Sequence, residues 1–145
     1  MGLFNNKKPA ALVDGTEILE SYDRGEIGAD NFIREFGMAT VYYTTPFGNH
    51  VDGGSRLFLM PGPDRTGYYP VFVSLDHMKE HYKKAGRAAY TIIEGTFASF
   101  LDVVKRTNDG GAPIKMGVII EPSYSGTTID VPFLDTAIAL SHGKK

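Results

Sequence analysis

The chain has no cysteine and no tryptophan, and neither charge sign prevails. Without cysteine there are no disulfide staples and no thiolate chemistry, and nothing marks an oxidising compartment. The charge balance, 15 Lys and Arg against 17 Asp and Glu for a net of -2, argues against a general nucleic-acid binder, which would carry a basic excess. No stretch approaches the roughly 20 apolar residues of a membrane span. The opening "MGLFNNKKPAALVDG" lacks the apolar run of a secretory signal, and Asn6 stands where a myristoylation signal needs Ser or Thr. The expectation is a cytoplasmic protein without a membrane or nucleic-acid partner.

What is present suits one domain: 145 residues, 42% of them hydrophobic, suffice for a single sizeable core. Residues 1–12 and 141–145 are short, polar and unpatterned, and are expected to fray. "DGTEILESYDRG" and "ADNFIREFG" both read as short helices, with Thr16 and Asp30 as candidate caps and glycines beyond their ends. The texture then turns β-branched and aromatic. "ATVYYTT", "RLFLM" and "YYPVFVS" read as strands, and the short connections favour antiparallel neighbours.

From Ser74 onward, helices and strands alternate. A helix over about 75–86 leads to the strand "AYTIIEG", then to a helix over about 97–106. Phe97, Phe100, Leu101 and Val104 form the clearest helical stripe in the chain. "IKMGVII", the turn "EPSYSG", the strand "TTIDV" and a terminal helix "FLDTAIAL" follow. The fold class is α/β, with α+β an equally fair label: a mixed sheet, antiparallel first, then parallel through βαβαβ crossovers. The core is expected to hold Phe72, Phe97, Phe100, Leu101 and Val104, with Met78, Ile93, Ile119 and Ile120.

Residues 77–81, "HMKEH", match H-x-x-E-H, an inverted zinc-peptidase signature, which makes a metal-dependent hydrolase the enzymatic alternative. A catalytic zinc also needs a third ligand and a dry, shaped site. Glu94 and Glu121 are candidates for a downstream carboxylate ligand, and neither sits in a recognisable motif. On a helical wheel His77, Glu80 and His81 fall nearly opposite the apolar arc of Leu75, Met78, Tyr82 and Ala85. The bland reading is therefore a solvated face. On that reading, changing both histidines to Gln shifts stability by no more than about 0.5 kcal/mol. There is no G-x-S-x-G, and "GPDRTG" lacks the Lys-Ser/Thr ending of a phosphate-binding loop, so no cofactor and no resident metal are expected.

The eight tyrosines include the pairs Tyr42-Tyr43 and Tyr68-Tyr69. Strand neighbours face opposite ways, so one of each pair should be core and the other near the surface. Tyr69 is expected to be the more exposed of its pair. Ligands of sheets with parallel strands collect at the strands' carboxyl ends, here marked by Ser74, Glu94 and Glu121. The candidate binding surface is therefore Tyr69, Glu121 and Tyr124. The glycine-rich loop "PFGNHVDGGS" offers Phe47 and His50 as a second candidate.

The series "NFIREFGMATVYY", "YYPVFVSLDHM" and "MGVIIEPSYSGTTIDV" resembles the N-terminal domain of the SseB family, named for enhanced serine sensitivity, over about residues 28–132. Glu121, Pro122 and Ser123 stand where that pattern has an Asn-Pro-Gly hairpin. The resemblance implies a bacterial cytosolic domain with no established catalytic role, acting as a binding or protein-interaction module. The same family name is attached to a type III secretion translocon protein. Such components are rich in long helices and coiled coils, and this sequence is not.

Overall fold

In the computed structural model, the described residues are 13–46, 59–87, 89–111 and 114–143. Two short helices come first, α1 over Thr16–Asp23 and α2 over Ala29–Phe36. Neither uses its expected cap: Gly15 and Gly28 hold the N-cap positions, and Asp14 accepts from the Thr16 N–H instead. Helices this short depend on packing rather than propensity. Aromatic rings supply it in sequence: Tyr22 stacks on Phe32 at 4.5 Å, Phe32 on Phe36 at 4.9 Å, and Phe36 meets Phe97 edge-on at 4.8 Å.

Strand β1, Thr40–Tyr43, pairs antiparallel with β4, Ile93–Thr96. Strand β3, Gly67–Val71, lies parallel to β5, Met116–Ile120. The two-residue β2, Met60–Pro61, runs antiparallel to β3, and β6, Thr127–Ile129, antiparallel to β5. A reciprocal bond pair between Tyr42 and Phe72 joins β1 to the end of β3. Pro70 is tolerated inside β3 because Val71 turns its carbonyl toward the β5 end, where it accepts from Glu121. Alternation then points Pro70 the other way, between the β2 pairing and the Tyr42 bridge, where no donor is called for.

The mixed sheet stands as read, but the succession of parallel crossovers does not. Among the strands of the described residues only β3 and β5 pair in parallel, because β4 leaves that ladder to pair with β1. The reason is visible in its residues. Buried parallel strands are apolar on both faces, whereas "IEGT" has no buried residue: Glu94 is exposed and the other three are half-buried. The strand then passes straight into helix α4, Phe97–Asp109, with Thr96 Oγ1 accepting from the Ser99 N–H as its cap.

Helices cover both faces of the sheet. Helices α1, α2, α4 and α5 (Leu134–Ser141) enclose one face, where Val41, Tyr43, Tyr69, Val71, Val118 and Ile120 meet Phe97, Phe100, Leu101 and Val104. Helix α3, Leu75–Lys84, covers part of the other, where Phe72 meets Met78 and Tyr82. Helices α2 and α5 approach so closely that a side chain at Gly37 would collide with the Ser141 carbonyl. The expected core holds, except that Ile93 and Ile119 are only half-buried. Ile119 shares its face with Thr128, whose side chain is exposed, and α3 does not extend over that end of the sheet.

One assignment is reversed. Tyr69 is 1% exposed, with its hydroxyl donating to the Thr44 carbonyl at 2.6 Å. Tyr68 is the half-exposed partner and donates to Asp130 at 2.5 Å. Tyr69 shares the Val71 face, and that face carries the thicker helical layer. Burial also pushes the Tyr69 phenol far above its ordinary range.

Candidate functional site

The parallel register sets Val71 opposite Ile120, so the residue after β5 lies beside the segment that leaves β3 for α3. That residue is Glu121. It is 2% exposed and holds a left-handed backbone, φ 52°, that L side chains rarely adopt. Its Oε2 accepts from the N–H groups of Val73 and Ser74 at 2.8 and 3.1 Å, and its Oε1 lies 2.7 Å from His77 Nδ1. Ser74 caps α3 through Oγ, which accepts from the His77 N–H at 3.2 Å. A carboxylate at this end of the helix also meets the positive pole of its dipole.

The same residue starts the turn that follows. The Glu121 carbonyl accepts from the N–H groups of Tyr124 and Gly126, both at 2.9 Å. This fold-back lays the Tyr124 ring on the His77 imidazole, with centroids 3.8 Å apart and planes 12° from parallel. The Tyr124 hydroxyl donates to Glu80 Oε1 at 2.7 Å, and Lys84 stands 3.9 Å from the other oxygen. That hydrogen bond, and Lys84 after it, lowers the Glu80 carboxyl, and the same bond raises the Tyr124 phenol. Asp23, at the end of α1, accepts from Ser125 and Thr127 and ties down the far side of the turn.

Of the residues expected to bind, Glu121 and Tyr124 come together, and Tyr69 is removed to the interior. Phe47 and His50 lie outside the described residues. His77 and Glu80 are the members that sequence reasoning missed, having assigned them to a solvated face. The wheel locates one buried face of α3, whereas the β5–β6 turn packs along a second flank and engages both. His77 is therefore not an idle surface residue: replacing it removes a hydrogen bond to Glu121 and the ring under Tyr124.

The same contacts bear on the zinc-peptidase pattern. His77 Nδ1 is occupied by Glu121, Glu80 by Tyr124, and the His81 ring lies against Phe72 and Tyr82. Among the described residues, no three His, Asp or Glu side chains are grouped to hold a metal ion. Glu94 is exposed on β4, opposite Tyr42. A carboxylate that fixes an imidazole is also how a general base is oriented, but among the described residues no serine hydroxyl is hydrogen-bonded to the ring, whose partner is Glu121, and cavities of about 280 and 680 Å³ open elsewhere, along β6 and beside the end of α3.

Burial lowers the His81 pKa from its ordinary value of 6.5. Its folded value lies below the unfolded one, so the neutral ring stabilises the fold above about pH 6.5. That contribution declines as pH falls through the folded value, because the unfolded chain takes the proton first. Urea titrations between pH 7.5 and 5 should show a loss on acidification that is smaller in His81→Leu. An identical pH slope in the two proteins would contradict the buried placement of this ring.

No protein family, curated protein or solved structure matches the chain. Among the described residues, no helix is long and apolar enough to cross a membrane.

Proposed function

We propose that the chain is a non-enzymatic protein-interaction module of the SseB N-terminal type, acting in the bacterial cytoplasm and docking a partner on its Tyr124 face. The observation that carries this reading is the state of Tyr124. It is 57% exposed, yet its ring is stacked, its hydroxyl bonded and its backbone locked in a turn. Tyrosine offers a large amphipathic contact area with few torsions to freeze. Ordering such a side chain beforehand lowers the entropy lost on docking. Buried Glu121 fixes His77, and His77 supports the ring. Three metal ligands do not converge there among the described residues, as the hydrolase reading of "HMKEH" would require.

A photo-crosslinking residue at Ser123, next to this ring, should yield a discrete protein adduct in cells. The same probe at Met38, which is 61% exposed and remote from the turn, should not. Adding Tyr124→Ala to the Ser123 probe should abolish the adduct. Equal labelling from both positions, or an adduct indifferent to Tyr124, would overturn the proposal.

A further inference from the structure

The sheet has an open margin away from Tyr124. Strand β6 ends the order β2-β3-β5-β6 and pairs only with β5. Its outward groups follow from the ladder. Glu121 N–H turns toward Val71, so by alternation Val118 and Ile120 face β6 and bond Ile129 and Thr127. Thr128 therefore directs both its N–H and its carbonyl outward, and no other strand among the described residues lies on that side.

A groove of about 280 Å³ runs beside this margin. Its walls are mainly apolar, drawn from Tyr22, Ile33, Phe133 and Leu140, and Phe133 is 65% exposed at the rim. Among the described residues, the charged side chains lining it are Asp30 and Asp130, with no lysine or arginine. The Tyr68 hydroxyl donates to Asp130 and keeps its carboxylate in place.

We propose that β6 accepts an extended peptide segment as an added strand, with an apolar side chain in this groove and a basic residue beside Asp30 and Asp130. An unpaired edge supplies main-chain bonds, and the adjacent apolar pocket selects alternate side chains. The two carboxylates, with no cation among the described residues of the groove, set the sign of the flanking charge. This site is separate from the Tyr124 face, and either can fail without the other.

The test is a display library of random heptapeptides screened against the full chain. Enriched sequences should alternate apolar residues and carry Lys or Arg. A synthesised winner should lose affinity by about tenfold or more when its backbone is N-methylated on the edge-pairing side, and keep it when methylated on the other. The same loss should appear in Thr128→Pro, which removes the outward N–H, and in Thr136→Lys, which fills the groove from an exposed position. Tyr124→Ala should bind as the parent does. The peptide-side methylation remains decisive if Thr128→Pro fails to fold. The proposal is overturned by no enrichment, by acidic winners, or by equal binding of the two methylated peptides. A concentration-dependent dimer dispersed by Thr136→Lys would also overturn it, by making a second copy the occupant.

Discussion

Truncating Phe100 to Ala is expected to remove about 3–5 kcal/mol of folding stability, the usual range for a packed aromatic. Phe100 is fully buried, with its ring 4.7 Å from Tyr43, 4.8 Å from Tyr69 and 6.1 Å from Phe97. It is the point where the aromatic series of α1, α2 and α4 meets the sheet. Deleting it opens a cavity that rigid neighbours fill poorly, and takes from Tyr43 and Tyr69 the ring that packs against both. Small domains hold only about 5–15 kcal/mol in total, so the variant should unfold at much lower denaturant. Chemical denaturation monitored by tyrosine fluorescence measures this. A loss under about 1 kcal/mol would mean that the helix layer is not packed on the sheet as described.

Glu121→Ala should cost about 2–5 kcal/mol, since each buried donor left without an acceptor costs about 1–3. The carboxylate is the acceptor for Val73 N–H and Ser74 N–H and the partner of His77, and alanine offers nothing to any of them. Two further variants separate the causes. Glu121→Gln keeps an acceptor oxygen and removes the charge, so its loss should be smaller. Glu121→Gly removes the carboxylate but relieves the left-handed strain, worth about 1–2 kcal/mol, so it should be less damaging than alanine. Glycine faring worse than alanine would contradict the strain, and an alanine variant losing under about 1 kcal/mol would show that the carboxylate's contacts do not hold this turn.

Elements governed by local pattern were legible in the sequence. The Phe97, Phe100, Leu101 and Val104 stripe places α4 on the core, and "EPSYSG" turns the chain between β5 and β6. Elements governed by remote pairing were not. The departure of β4 to β1 depends on residues some fifty positions away, and only its half-polar composition hints at it. Tyr68 and Tyr69 alternate as any strand pair must, but which face carries the thicker layer is a property of the assembled fold. The site behaves likewise. Glu121 and Tyr124 were marked by their place at a strand end, whereas His77, 44 residues from Glu121, reaches it only through the parallel register of β3 and β5.

The most direct measurement of the central claim is the affinity of the protein captured by the Ser123 probe for the parent chain and for Tyr124→Ala, taken alongside their thermal transitions. The account predicts a weakening of about tenfold or more with an unchanged transition, because an exposed ring contributes to docking and little to folding. Equal affinity for both proteins, or a Tyr124→Ala chain that no longer folds, would contradict it.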